Sequence, residues 1–242
     1  MKRTSRLLAP LLLTLLPNFT TAESLTETEG WASSVDLGAT VTSGNTDTTL
    51  LNLGINSSLK RGKNEYAVKA SYTYGEDDGN ATADELLASL DWNRLISKRA
   101  YLGAILKFRR DELSDIDYRV DLTAKGGYYF IKSDDRLFSL EAGPGLTIEK
   151  AGGKTDQYAT FYLGQKYEEQ LNDSVRLFQS LNLYTSFSNF DDYRIIGELG
   201  AESKLSENLN LKVLLQNQFE NEPAAGREQN DFKLVTGINY KF

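Results

Sequence analysis

From residue 31 to the last residue, apolar and polar side chains alternate in runs of about a dozen, broken by clusters of Gly, Asn, Asp and Ser. A period of two puts successive side chains on opposite faces of an extended strand; a helix would need a period of 3.6. Twelve runs can be read, at 31–43, 48–60, 65–75, 84–95, 100–110, 118–130, 137–149, 157–169, 174–187, 192–204, 209–220 and 230–242. The pattern predicts an all-β fold, and the even count suits an antiparallel up-and-down transmembrane β-barrel whose two ends lie on one side of a membrane.

One face of the runs is apolar, carrying Val35, Leu37, Val41, Leu51, Leu53, Ile55, Leu59, Val120, Leu122, Ala124, Val175, Leu177, Leu181, Leu183, Leu234, Ile238 and Tyr240. The other carries Asp36, Asn52, Lys69, Asp91, Lys107, Arg109, Arg119, Asp121, Lys125, Glu141, Arg176, Glu198, Glu202, Lys212 and Lys233. A strand of 12 residues is about 40 Å long and, tilted by about 40°, stands about 30 Å high, enough to cross the apolar layer of a bilayer. Aromatics near the run ends, Trp31, Tyr72, Tyr74, Trp92, Tyr101, Tyr128, Phe130, Phe187, Tyr193, Phe219, Tyr240 and Phe242, suit interfacial girdles. A soluble exported barrel with its apolar face inward is the competing reading, which periodicity does not exclude.

Both chain ends point to export. Lys2, Arg3 and Arg6 precede an apolar stretch from Leu7 to Leu16, followed by Thr20-Thr21-Ala22, the pattern of a cleaved signal peptide over 1–22. The stretch is too short, and too broken by Pro10, for a spanning helix. Residues 23–30 are expected as a short periplasmic stub and 31–242 as the barrel. Gly237, Tyr240 and Phe242 lie in the final run with the spacing of a C-terminal strand that barrel-assembly machinery reads, which places the protein in the outer membrane of a Gram-negative bacterium.

The turns 61–64, 96–99, 171–174 and 205–208 are short, as periplasmic turns are, whereas Glu76 to Ala83, Asp111 to Asp117 and Asn221 to Gln229 read as longer external loops. The outer connections sum to −11 and the inner ones to about +2. Without residues 1–22 the chain has 24 basic and 34 acidic residues, a net charge of −10, a poor match for nucleic acid.

The chain has no His and no Cys, so nucleophile–base catalysis of the serine–histidine kind is closed to it. Glu198 and Glu202 share a face, but four residues along a strand separate them by about 13 Å, too far for a glycosidase pair. The acidic stretches 76–80 and 111–117 do not fit the twelve-residue calcium loop and read as turn chemistry. No enzyme activity, cofactor or metal is expected. Gly126-Gly127 and Gly143-Pro144-Gly145 lie inside runs, where a bend or bulge would ease curvature.

Several stretches resemble a known family: Thr42 to Thr48, Gly75 to Gly79, Asp117-Tyr118-Arg119, Gly127-Tyr128, Leu140 to Gly145 and Tyr240-Lys241-Phe242. They are similar to the salt-induced outer-membrane proteins, grouped under a domain of unknown function, from about residue 31 to the end. The resemblance implies an outer-membrane barrel associated with salt or acid stress, and no catalytic residues.

The lumen charges are the functional candidates: Lys107, Arg109, Arg119, Asp121, Lys125, Glu141, Arg176 and Glu198. They either line a narrow pore for small solutes or ions, with an acidic mouth favouring cations, or pair and fill a closed, salt-bridged barrel with a structural or loop-borne role. Twelve strands lie between the eight that side chains fill and the sixteen that leave a channel. The expected partners are outer-membrane lipid and the assembly machinery, for a monomer.

Overall fold

The computed structural model describes residues 30–43, 48–77 and 80–242. The expected signal segment and nearly all of the stub, the first outer connection and the tip at 78–79 lie outside them. Twelve strands form a closed antiparallel barrel: β1 (Ala32–Ser43), β2 (Thr48–Arg61), β3 (Asn64–Asp77), β4 (Asn80–Leu95), β5 (Ala100–Asp111), β6 (Ile116–Lys132), β7 (Arg136–Ala151), β8 (Lys154–Asn172), β9 (Val175–Ser186), β10 (Tyr193–Lys204), β11 (Leu209–Glu220) and β12 (Asn230–Lys241). Each strand pairs with its neighbours in sequence, and β12 closes on β1 from Ser34↔Lys241 to Ser43↔Phe232.

Alternation decides which face meets which medium. The apolar face points outward and is bare: Leu51 is 74% exposed, Ile55 55%, Leu122 51% and Leu199 56%. A soluble barrel would have buried these side chains, so the inward-apolar alternative is overturned. The inward face holds buried Arg119, Asp121, Lys125, Arg194 and Glu202. Among the described residues a small apolar cluster, Ile105 with Tyr162 and Tyr184, and the packed Tyr101–Tyr129 ring pair lie among them. With no water inside a bilayer, closure is what satisfies every strand N–H and C=O.

The strands depart from the sequence reading at the outer rim. The stretch Glu76 to Ala83 is no long loop: β3 runs to Asp77, β4 starts at Asn80, and Glu76↔Ala81 and Asp77↔Asn80 still pair. Likewise β6 starts at Ile116, leaving 112–115 as the turn, and β7 and β8 continue to a Gly152-Gly153 turn with both glycines at positive φ. Polar residues stand on both faces there because the strands have risen out of the apolar layer, so alternation fades while pairing persists. Asn221 to Gln229 is a loop as expected.

Two further expectations are corrected. Tyr101 is not in an outer girdle; it is 2% exposed, its ring covers Gly127 from inside, and its hydroxyl donates to Glu141 at 2.8 Å. Gly143-Pro144-Gly145 makes no bulge, since the register is unbroken on both sides. Instead β6 and β7 approach so closely that a Cβ at Gly143 would meet the Ala124 carbonyl.

Closure rests on a similar contact. Gly38 and Gly237 face each other across the β1–β12 seam, and a Cβ on Gly237 would strike the Leu37 carbonyl and the Gly38 Cα. Beyond it Tyr240 and Phe242 stack with centroids 6.5 Å apart, and the Phe242 N–H donates to the Ser33 carbonyl at 3.0 Å. Gly237→Val is expected to destabilise the folded barrel by about 1–3 kcal/mol through overpacking, whereas Thr236→Val, on the lipid face, leaves it unchanged or firmer. Urea unfolding of the two variants in detergent micelles checks this; equal stabilities would remove the seam argument.

Candidate functional site

The inward face of each strand presents every second residue, many of them charged or hydrogen-bonding, and the pairing register sets which groups share a level. Near the outer mouth Arg109 of β5 and Arg119 of β6 are directly opposed, an arrangement that repulsion alone would forbid. They are held by carboxylates from elsewhere in the ring. Glu220, on β11 across the lumen, accepts from Arg109 Nη1 at 3.0 Å and pairs with Arg119 Nη1. Arg109 also reaches Glu85 at 3.1 Å and Asp111 at 2.7 Å, and Arg119 reaches Glu149. From β12, Lys233 joins Glu85. The result is a bar of paired charges crossing the lumen.

Just below it, Arg194 of β10 makes two hydrogen bonds to Asp121 of β6, at 2.7 and 3.2 Å, and Thr147 donates its hydroxyl to the same carboxylate. Deeper, Glu141 is a hub on the β5–β8 wall. It accepts from Lys125 at 2.7 Å, Tyr101 at 2.8 Å and Tyr162 at 2.7 Å. Lys125 also meets Asp91 at 2.9 Å. At the end of the barrel where β1 begins and β12 ends, Arg176 pairs with Glu202 at 3.0 Å and Glu168 at 3.1 Å, and Lys132 and the Tyr129 hydroxyl share Glu65.

All eight candidate charges therefore face the lumen, but not as one cluster. Arg109 and Arg119 sit in the bar, Asp121 beneath it, Lys125 and Glu141 in the wall hub, and Arg176 at the inner rim. Glu198 has no basic partner within ion-pair distance and is held by Gln216 at 3.0 Å and Ser180 at 3.2 Å. Lys107, opposite Asp121 in register, instead lies over the Tyr184 ring, 5.1 Å from its centroid. Sequence reasoning missed Glu85, Glu149, Arg194 and Glu220. Their inward parity was readable, but the partners that make them matter lie across the lumen.

The lumen is not filled throughout. Above the bar a vestibule of about 640 Å³ opens to the outside, lined among others by Glu149, Lys154, Asp156, Asp192, Glu222 and Arg227. Below it inward-facing lysines stay wet: Lys69 is exposed and the Lys166 side chain is 55% exposed. The lining is uneven, since β1 to β4 carry small groups such as Ser34, Gly54, Ser58, Ser71 and Ser89 where β5 to β9 carry Tyr, Arg and Lys. Among the described residues no three Asp or Glu side chains are placed to hold a metal ion.

Residues 35–242 match the model of the family described as protein of unknown function DUF481. The chain belongs to that family. Among curated protein sequences none matches. Among solved structures this DUF481 barrel is similar to the NanC porin, with TM-score 0.59 and 8% identity over 86% of this chain and 100% of the porin. It is also similar to the KdgM porin in complex with disordered oligogalacturonate, at 0.52 and 10% over 86% and 99%. An outer-membrane channel from Pseudomonas putida F1 matches at 0.52 and 12% over 94% and 100%. At such identities the likeness is one of fold: an outer-membrane β-barrel.

Glu220→Gln is expected to lower stability by about 1–3 kcal/mol, since it leaves two guanidinium groups short of a buried partner. Glu112→Gln, which removes a surface pair with Arg110 whose side chains are 43% and 60% exposed, should cost less than about 0.5 kcal/mol. Chemical denaturation of both separates the cases. At the vestibule rim the Asp192 carboxyl is pushed up from its ordinary value, chiefly by burial and then by Glu149 and Glu222, against the pull of Arg194 and Arg119. A raised carboxyl costs stability once ionised, so Asp192→Asn should raise the unfolding temperature at pH 7, with the gain vanishing as the pH falls through the carboxylate range.

Proposed function

We propose that this protein is a narrow outer-membrane channel for ions and small charged solutes, constricted by the bar of Glu85, Arg109, Glu220, Arg119 and Glu149. It is read as exported by a signal peptide at residues 1–22 and set in the outer membrane of a Gram-negative cell with its vestibule outward. The assembly machinery recognises the strand that carries Gly237, Tyr240 and Phe242. One observation carries this reading: water-accessible space lies both outside the bar and below the Arg194–Asp121 layer beneath it, around Lys69 and Lys166. Lys69 stands about six residues above the inner turn, or about 15 Å along the axis, and its side chain is still exposed. A barrel filled for strength alone would bury it.

Among the described residues the bar consists of side chains, with no folded plug, so rotamer changes suffice to open it. Its outer approach is acidic, which raises the local concentration of cations at the vestibule. A link to salt or acid stress, which the family resemblance implies, fits a conductance that responds to the ions outside.

Planar-bilayer recording of the purified mature chain is expected to give discrete, small conductance steps. Glu220→Gln should increase the step size at least twofold or lengthen the open time, because it unhooks β11 from both arginines. Silence from demonstrably inserted wild-type protein and from the variant alike would favour a closed, structural barrel.

A further inference from the structure

Lys69 of β3 and Lys107 of β5 project into the lumen with Ser89 of β4 between them in one row. Two strand spacings set their Cα atoms about 10 Å apart. The inward lysines Lys125, Lys132, Lys166, Lys212 and Lys233 each lie within ion-pair distance of a carboxylate. Among the described residues Lys69 and Lys107 make no ion pair. Glu198 faces both of them, but it is held by Gln216 and Ser180 on its own wall. Glu168, which also faces Lys69, is engaged by Lys166 and Arg176.

A second observation points to the same place. The Tyr184 hydroxyl, next to Lys107, is buried without a hydrogen-bond partner, and the residue is only 1% exposed. Two ammonium groups bring six N–H donors and the phenol one O–H, and against them stand only the Tyr184 oxygen and Asp121 beside Lys107, with Glu198 and Glu168 already held by other side chains. Leaving such groups unmatched away from bulk water is costly. An anion with several charged oxygens matches them, through charge-assisted hydrogen bonds that are stronger than neutral ones.

We propose that Lys69, Lys107, Ser89 and the Tyr184 hydroxyl form a mid-lumen site for a small free oxyanion carrying two or more negative oxygens, phosphate being the simplest. The inference rests on the reading of the lumen as a water-filled channel, and it names the solute class that the channel holds on the way through. Lys69 lies on the wet side of the site and would meet an anion entering from the periplasmic end. Lys107 and Tyr184 form its deeper wall, beneath the Arg194–Asp121 pair.

The test is titration of the folded, detergent-solubilised mature chain with inorganic phosphate, followed by calorimetry and phosphorus NMR line width. Saturable binding is expected, at least tenfold weaker in the Lys69→Gln/Lys107→Gln double variant and unchanged in Lys63→Gln, at an inner turn. Should the double variant fail to fold, Tyr184→Phe, which removes only the hydroxyl, should weaken binding several-fold. No saturable binding to the wild type, or equal binding by the folded variants, overturns the site. Conductance recorded on the same preparations separates the two readings: binding without ion passage keeps the site and ends the channel, and ion passage without phosphate binding does the reverse.

Discussion

Everything in this molecule follows from the need to leave no strand edge unpaired inside a bilayer. The first strand must meet the last, and the seam where they meet is tight enough that Gly38 and Gly237 lie with no room for a side chain between their backbones. Once the sheet closes, alternation does the rest. One face is pressed against lipid and must be apolar, and the other encloses a space into which polar and charged groups are forced at every second residue. The polar interior is thus a consequence of closure before it is a device for transport.

Strand number then sets what those groups can reach. Twelve strands about 4.8 Å apart, tilted by about 40°, close at a backbone diameter of about 24 Å if the section is circular. An extended arginine meeting an extended glutamate covers roughly 15 Å. Arg109 and Glu220 come from strands six apart in a ring of twelve, directly opposite, and still touch at 3.0 Å. The section at the bar is therefore narrower in that direction than a circle allows. An eight-stranded barrel would have packed such side chains solid, and a sixteen-stranded one would have left them out of reach. Here the bar and the Arg194–Asp121 pair beneath it cross the lumen, and the space above the bar and around Lys69 and Lys166 stays wet.

How much of this was legible in the sequence depends on the range of the interaction concerned. Period two and turn residues are local, and all twelve strands were readable, as was the inward parity of Lys107, Arg109, Arg119, Asp121, Lys125, Glu141, Arg176 and Glu198. The rim was misread because Glu76, Asp77 and Asn80 are polar for the water they stand in, and composition does not distinguish a wet strand from a loop. Tyr101 was misread for a related reason: an aromatic at a strand end suits a girdle, and only its parity with Gly103 and Ile105 puts it inside, over Gly127. The bar was not readable at all. Glu220, Glu149 and Arg194 are neighbours of the candidate arginines and of Asp121 only through tilt and stagger, which no local pattern encodes.

The same distinction governs what charge says about function. The acidic sum of the outer connections describes the approach to the vestibule and the concentration of ions there. It does not describe the passage, because Arg119, Glu149, Glu220, Asp121 and Arg194 neutralise one another within hydrogen-bond distance and offer little to a passing solute. A charge acts on solutes only where no partner has claimed it. Midway along this lumen, among the described residues, Lys69, Lys107 and Glu198 are charges without an ion-pair partner. In the proposed channel, preference between anions and cations would follow from how those three are arranged and how far the bar yields, with the net charge of the chain entering as a field at its mouth.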